Sequence, residues 1–563
     1  MTPDELLAKT ITPLAAFYKQ VDQRPNNTAY VQPYAAGETR TWTWSQVRDE
    51  SERIASALKA RGLQPGDRVI LFSKNCAHWI MADLAIWMAG GVTVPLYPNL
   101  AAETIRQIIE HSGATKGFIG KLDHFEAMAP GLDGEYDFIR FPDAPPFEGA
   151  VSWADLLAEH EPFDERFDPD LDDLATIVYT SGTTGMPKGV MHTFRTVGNT
   201  GVLSNYLYET NDRDRCLSYL PLAHVAERAA LETAQLYNGF TVYFAYSLDT
   251  FAEDLQRARP TTFFAVPRIW MKFQQGVLAK MPETKLNRLK KIPFVGKLVR
   301  KKILQGLGLD QARIALSGAS PLSVSLIEWY RDLGLEIQEG YGMTENFAYS
   351  HTTPVGESVP GAVGRANPLV DCVISDIGEV LVRSPTTMIG YYKAPDITAE
   401  TITEDGYLRT GDQGKIDEHG RLRITGRVKE LFKTSKGKYV APAPIENKLL
   451  ANSLIEQVCV TGPNLPQPLV VVNLNEVAQA SLSNSESAAD IASELSAHLA
   501  QVNATLDPHE RLACMVAVSD RWLPETGFTT PTLKIKRNVI EERYSPSFES
   551  WLASGQNVIF ETQ

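Results

Sequence analysis

The stretch Trp79–Tyr97 constrains this chain more than any other. It carries one charge, Asp83, and is otherwise almost wholly apolar. A run of that length invites a membrane-spanning helix. Gly90-Gly91 and Pro95 interrupt it, however, and Val92-Thr93-Val94 is β-branched. Glycine and proline punctuate, and branched residues favour a strand. The pattern therefore predicts a buried helix, a turn and a buried strand. A helix that is apolar all round must be covered all round. Such a unit belongs in an α/β fold whose largely parallel sheets are covered by helices. Strands predicted at Arg68–Phe72 and Ala175–Tyr179 alternate with helices predicted at Trp44–Arg61 and Ile105–Ser112 in the same manner.

At about 150 residues per domain, 563 residues suggest three to four domains. Composition shifts at Gly420–Lys438, which is basic and punctuated by glycine. Beyond it, predicted strands Gln457–Val460 and Leu469–Leu474 and a helix Asp490–Val502, led by a Ser-rich loop Ser481–Ser487, suffice for one small domain. The expected boundary lies at Arg427–Lys429, dividing residues 1–427 from residues 428–563. Charge excludes one class of partner: the net value of −14 is wrong for general nucleic-acid binding. Cys76, Cys216, Cys372, Cys459 and Cys514 are scattered, odd in number and without a CxxC pair, so no disulfide framework or zinc knuckle is expected. Met1–Lys9 shows no apolar secretory core, and a cytoplasmic location is the expectation.

Three segments carry chemistry. Thr180-Ser181-Gly182-Thr183-Thr184-Gly185-Met186-Pro187-Lys188-Gly189 follows an apolar strand. Its glycines let backbone N–H groups approach a ligand, and its hydroxyls and lysine add donors. It lacks the GK[ST] ending of a P-loop. A phosphate cradle and a plain solvated turn both fit it. In Glu339-Gly340-Tyr341-Gly342-Met343-Thr344-Glu345, Tyr341 is placed to stack on a base, Thr344 to reach a phosphate and Glu345 to hold Mg²⁺. A strand-end turn with a surface Glu fits as well. Tyr407-Leu408-Arg409-Thr410-Gly411-Asp412 offers a carboxylate after a glycine turn, suited to ribose hydroxyls. Gly426-Arg427 and Thr530-Pro531-Thr532-Leu533-Lys534-Ile535-Lys536-Arg537 complete the series.

In that order, from about Tyr30 to Arg537, these segments resemble the adenylate-forming superfamily. They are most similar to its long-chain fatty acyl-CoA synthetases, including the bubblegum type. Leu220-Pro221-Leu222-Ala223-His224-Val225-Ala226-Glu227-Arg228, Val266-Pro267-Arg268 and Phe432-Lys433…Gly437-Lys438 also carry that resemblance. The resemblance implies a large N-terminal AMP-binding domain of sheet subdomains covered by helices and a small mobile α+β C-terminal domain. It implies two half-reactions: a carboxylate attacks ATP to give acyl-AMP and pyrophosphate, and coenzyme A then takes the acyl group and releases AMP. The implied ligands are ATP, Mg²⁺ and coenzyme A.

Residue roles follow from the same resemblance. Thr180, Ser181, Gly182, Thr183, Thr184 and Lys188 handle pyrophosphate. Thr344 meets the α-phosphate, and Glu345 and Thr184 serve Mg²⁺. Gly318-Ala319-Ser320 edges the adenine on which Tyr341 stacks, beside Glu339, Gly340 and Gly342. Asp412 and Arg427 hold the ribose. Lys534 lies between carboxylate and α-phosphate, with Lys536 its nearest rival. Lys429 is the hinge, while Lys433 and Gly437 serve the second half-reaction. His224 stands near the acyl entrance or thiol path, although an isolated His among apolar residues also suits a core. The family pattern is broken where Leu533 precedes the lysine, where Pro444 replaces Glu and where Gly426 replaces Asp.

Apolar residues at Phe263-Phe264-Ala265 and Asn346-Phe347-Ala348 are candidates for an acyl pocket or for plain core. Medium- to long-chain fatty acids are the expected substrates, since each buried CH₂ contributes about 0.8 kcal/mol. One basic run, Lys285–Lys302, opposes the acidic average. It suits a solvated helix pair or a peripheral contact at the inner membrane surface. Two rivals remain at this level: an acyl-AMP ligase loading a separate carrier protein, and a non-catalytic acyl or nucleotide sensor. The motifs also leave a luciferase as a remote alternative.

Overall fold

A computed structural model describes residues 2–34, 37–163, 166–180, 186–320, 322–359, 361–530 and 534–561. The chain forms two compact units. The first comprises Met1–Leu322, Leu326–Cys372 and Leu381–Arg409, and the second Ser323–Ser325, Val373–Val380 and Thr410–Gln563.

Among the described residues, three sheets build the first unit. The largest has eight strands in the order Gly390–Tyr391, Lys188–Thr193, Leu174–Thr180, Val92–Leu96, Arg68–Phe72, Lys116–Ile119, Asp137–Arg140 and Val151–Ser152. It is parallel from Leu174–Thr180 to Val151–Ser152. Lys188–Thr193 and Gly390–Tyr391 then close that edge in antiparallel fashion. A second sheet orders Arg215–Ser218, Thr241–Phe244, Thr28–Pro33 and Thr39–Thr43. The third orders Thr262–Ala265, Ile314–Ser317, Ile337–Tyr341, His351–Thr352 and Arg365–Ala366.

The apolar run folds as its breakers require, into a helix Ala77–Met88 and a strand Val92–Leu96. Every residue of that helix is buried. It shares one core with Trp42 and Val242 of the second sheet and Val69 and Leu71 of the first, so a sheet covers it on either side. No described helix is long and apolar enough to cross a membrane. The single charge is answered inside the protein. Asp83 accepts hydrogen bonds from Arg228 and from the Thr93 hydroxyl. Arg228 also bonds Glu232 (2.9 Å) and the Thr176 hydroxyl (2.7 Å). Burial holds the Glu232 carboxyl well above the usual range, against the pull of Arg228. Arg228 opens a π-helical turn, Arg228–Thr233, which directs both partners into the core.

The second unit has a sheet ordered Ile455–Thr461, Leu469–Leu474, Met515–Ala517 and Val558–Phe560. Strand alternation divides its two faces. Val458, Val460, Val470 and Val472 pack with Leu495 of the helix Ser485–Asn503. Cys459, Leu469 and Val471 pack with Ile540 and Tyr544 of the helix Arg537–Ala553. The Ser-rich segment is not the loop expected from composition. It holds the end of one helix, Glu476–Ser481, and the start of the next. Asn484 caps that start by accepting from the N–H groups of Glu486 (2.9 Å) and Ser487 (3.1 Å).

Candidate active site

The first site segment grows from an antiparallel pair. Thr180 and Lys188 sit opposite each other at its open end. Ser181, Gly182, Thr183 and Thr184, between them, lie outside the described residues. The root of the loop is tightly packed. A Cβ on Gly189 would lie 2.7 Å from Ile177 and 3.2 Å from the Tyr179 ring, so only glycine fits there. The Tyr179 hydroxyl meets Nδ1 of His111 at 2.8 Å.

The edge strand Gly390–Tyr391 draws Glu345 to the same place. Tyr391 pairs with Val190, and its hydroxyl donates to Oε1 of buried Glu345 at 2.8 Å. The Lys188 ammonium lies 5.2 Å from the centre of the Tyr391 ring, within cation–π range. The N–H of Met388 donates to the Glu345 carbonyl at 2.8 Å. Thr344 is fixed from the other strand: Nε2 of His192 donates to its carbonyl at 2.8 Å. Burial lowers the His192 pKa to about 4, so the ring is neutral and carries its proton on that nitrogen. Sequence reasoning missed Tyr391 and His192. The only signal for Tyr391 was the pair Tyr391-Tyr392 after a glycine, and His192 reads as an ordinary strand residue.

Gly318, Ala319, Ser320, Glu339, Gly340 and Tyr341 gather at the carboxyl ends of two adjacent parallel strands, where Ser317 registers with Glu339. Ligands of open α/β sheets bind at such ends. A Cβ on Gly318 would lie 3.2 Å from the Gly340 carbonyl and 3.3 Å from the Phe264 ring, so the glycine lets the two strand ends and that ring approach closely. Ala319 follows in the left-handed region, at φ 68°. Glu339 is buried and accepts from the Leu322 N–H at 3.2 Å, which fixes the loop between the strands. A Cβ on Gly342 would lie 2.6 Å from the Ala348 backbone, so this glycine permits a close crossing. Of the two phenylalanines expected as apolar lining, Phe264 lies beside Gly318, whereas Phe263 points to the other side of the strand and packs on Trp270 (5.4 Å). Asn346 and Phe347 are buried core, with Phe347 against His192 at 4.9 Å.

His224 caps a short helical turn. Its Nδ1 accepts from the Ala226 N–H at 3.0 Å, and its ring meets Tyr97 edge-on at 6.3 Å. The adjoining loop is held by Asn75, which bonds Ser218 (2.7 Å) and the carbonyl of Leu220 (2.6 Å). Glu227 accepts from the Ser218 hydroxyl (3.0 Å) and the Tyr219 N–H (3.1 Å). Burial pushes its carboxyl up to about 8, only partly opposed by these bonds.

In the second unit, Asp412 and Arg427 face each other across a hairpin and pair at 2.9 Å. The sequence suggests that the Asp412 carboxylate follows a glycine turn, but it stands inside a strand. Gly411 lies inside the strand Leu408–Ile416, where φ 71° lets its N–H reach Glu379 at 3.0 Å. Lys429 lies in a short 3₁₀ turn, Val428–Glu430. Lys433 registers with Tyr439, and its ammonium stands 5.5 Å from that ring. Gly437 closes the turn between them at φ 76°, a conformation that by itself calls for glycine. Lys534 is exposed, and its N–H donates to the Thr530 hydroxyl at 3.1 Å. The helix that follows is anchored by Arg537, which bonds Glu446 (2.7 Å) and the Val460 carbonyl (2.6 Å).

Among the described residues no three His, Cys, Asp or Glu side chains gather as a metal cage. One buried carboxylate near the lysine that begins the strand Lys188–Thr193 suits Mg²⁺, which is usually shared between one or two carboxylates and substrate phosphates. Glu345 fits that role. The AMP-binding enzyme model matches residues 17–392. The chain belongs to that family. The AMP-binding enzyme C-terminal domain matches residues 430–554. The long-chain-fatty-acid–CoA ligase FadD15 of Mycobacterium bovis is 30% identical over 560 residues, covering 90% of this chain and 92% of the relative. The peroxisomal long chain acyl-CoA synthetase 7 of Arabidopsis thaliana is 31% identical over 569 residues, covering 89% and 80%. In fold, the chain is similar to the adenylation domain of a carboxylate reductase from Mycobacterium chelonae, with TM-score 0.81 and 22% identity, covering 96% of this chain and 91% of that one.

Proposed function

We propose that this AMP-binding enzyme is an ATP-dependent acyl-CoA synthetase acting on medium- and long-chain fatty acids. The observation that carries the reading is the junction of Lys188, Tyr391 and Glu345, which sets a cation and a carboxylate at the root of a glycine-rich loop. The names of the full-length relatives support the substrate class.

In the first half-reaction a fatty carboxylate oxygen bonds to the α-phosphorus of ATP. The bond to the bridging oxygen breaks, and pyrophosphate leaves. Two anions must meet, so charge neutralisation and positioning dominate the barrier. Lys188 and the loop Thr180–Thr184 take the pyrophosphate. Mg²⁺, when bound at Glu345 and Thr184, supplies further charge neutralisation. Thr344 meets the α-phosphate, and its position depends on the neutral His192. Tyr341 and the segment Gly318–Ser320 receive the base, Asp412 and Arg427 the ribose. Lys534 bridges carboxylate and α-phosphate. In the second half-reaction the thiol of coenzyme A loses its proton and attacks the acyl carbon, and the bond to AMP breaks. Lys433 and Gly437 serve this step after a rotation about Lys429, a position supported by the C-terminal domain match beginning at residue 430. His224 lines the acyl or thiol path. The reading places the enzyme in the cytoplasm, in peripheral contact with a membrane through Lys285–Lys302.

The test is AMP and pyrophosphate release with acids from acetate to C18 and with aromatic acids, each with and without coenzyme A. Turnover confined to long chains plus coenzyme A is the expected result. A stoichiometric pyrophosphate burst without thioester would point instead to loading of a separate carrier. Silence with every acid would make the chain a sensor.

A further inference from the structure

The strand Lys188–Thr193 runs between Leu174–Thr180 on one side and Gly390–Tyr391 on the other. Each of the three carries part of the nucleotide site: Thr180 ends the first, Lys188 begins the second, and Tyr391 of the third bonds Glu345. The outer strand is only two residues long, so its own ladder gives it few bonds.

A helix behind the sheet, Ala102–Ser112, supplies a further tie. Its Ile105, Ile108 and Ile109 are buried and share a core with Ile177 and Tyr179 of the inner strand. Its last turn then reaches both neighbours of Lys188–Thr193 through one residue, His111. Nδ1 of the ring meets the Tyr179 hydroxyl at 2.8 Å, and the His111 carbonyl accepts from the Lys393 ammonium at 2.7 Å. The ring stands edge-on to Tyr179 (5.8 Å) and to Tyr392 (5.7 Å). These two tyrosines meet the same residue of the middle strand. Tyr179 registers with Gly189, next to Lys188, and the Tyr392 N–H donates to the Gly189 carbonyl at 2.7 Å.

The helix end does not need these side-chain contacts. The Gly113 N–H bonds the Ile109 carbonyl (2.9 Å) at φ 69°, and Arg68 donates to the Ser112 carbonyl (2.8 Å). Lys393 makes its contact from φ 55°, a region uncommon for residues other than glycine. Burial, and then the Lys393 ammonium, lower the His111 pKa, while burial raises that of Tyr179. The ring is therefore neutral, the hydroxyl donates and Nδ1 accepts.

We propose that His111 is a positioning residue for ATP: by joining Tyr179 to Tyr392 and Lys393 it brackets the strand Lys188–Thr193 and holds Lys188 against Tyr391. The inference deepens the acyl-CoA synthetase reading and rests on its assignment of pyrophosphate to Lys188. His111 acts through the strands and has no assigned contact with nucleotide. AMP lacks the two phosphates that Lys188 meets, so the bracket matters for ATP and not for AMP.

Binding of ATP and of AMP to the full chain is measured by titration calorimetry with Mg²⁺ present. Tyr179→Phe and His111→Leu should each weaken ATP about fivefold, the effect of one neutral hydrogen bond, and leave AMP unchanged. The double variant should lose no more than either single one, because both remove the same bond. His111→Asn, whose amide oxygen can take the place of Nδ1, should restore ATP binding. Tyr179→Phe deletes one oxygen atom and carries the test even where His111→Leu lowers the yield of folded protein. Selective loss of ATP in variants of a parent that forms no acyl-CoA supports the bracket while removing the proposed function. Unchanged ATP binding in both single variants overturns the bracket. Parallel loss of ATP and AMP, or a double variant at the product of the two single losses, overturns it as well and makes His111 a residue of the fold alone.

Discussion

The two units hold their functional side chains in opposite ways. In the first, Glu345 is buried and bonded to Tyr391, the Thr344 carbonyl is bonded to His192, and the strand behind them is braced by the Arg228–Thr176 bond. In the second, Lys534 is an exposed side chain on a backbone tied by Thr530, and Lys433 stands at the outer edge of a two-stranded ribbon. The difference matches the proposed division of labour. Groups that bind nucleotide phosphate in both half-reactions gain from a rigid, desolvated frame. A cation required in one half-reaction only must be able to leave, and burial would oppose that.

The comparison breaks most readily at Arg228. Arg228→Met leaves Asp83 and Glu232 buried without their cation. It should cost about 3–5 kcal/mol, read as a lower denaturation midpoint or loss of soluble protein. The corresponding loss at Lys534 should be purely kinetic. Lys534→Ala should lower acyl-AMP formation by about 10²–10³, leave the melting temperature unchanged and spare thioester formation from supplied acyl-AMP. Equal loss in both half-reactions would remove its assigned role.

A third prediction concerns pH. Glu227 ionises near 4.5 in the unfolded chain and near 8 when buried in the fold. Between those values the unfolded state binds fewer protons, so this group's contribution to stability falls as pH rises and is fully lost above about 8. Glu227→Gln should flatten that slope and melt higher than the parent at the alkaline end. A melting series across the window that shows parallel curves for both proteins would exclude it. The smallest effect belongs to Tyr391→Phe, which keeps the ring beside Lys188 and removes the bond to Glu345. The Mg²⁺ concentration for half-maximal rate should rise about tenfold while kcat at saturating Mg²⁺ stays near the parent value, because one charge-assisted hydrogen bond contributes about 1.5–3 kcal/mol at most. A fall in kcat with unchanged Mg²⁺ dependence would show that Tyr391 supports the fold rather than the metal site.

Much of this was legible in the chain. Breakers and branched residues marked the helix Ala77–Met88 and the strand Val92–Leu96, and a run of valines marked Leu469–Leu474. Local signals of this kind act within a few residues. The Ser-rich segment misled because Asn484 captures two N–H groups and turns a loop composition into a helix start. Gly411 misled because a positive φ also fits inside a strand when a carboxylate receives the N–H. At the site, motif order pointed to Lys188, Thr344 and Glu345, yet the residues that hold them in place, Tyr391 and His192, were invisible.

By its own pattern, then, the sequence determined an α/β body, a small second domain of strands and helices, the glycine-rich segment and the order of chemical groups along the chain. It also required that the run Trp79–Tyr97 be covered on every face. Only the tertiary structure decided what covers that run, and that Asp83 meets Arg228 there. It likewise decided that Tyr391 and His192 bring Glu345 and Thr344 to the Lys188 strand. The physical reason is sequence separation. Propensity and periodicity are set by neighbours, whereas a buried ion pair or a hydrogen bond between residues 46 apart, such as Tyr391 and Glu345, exists only once distant strands have paired.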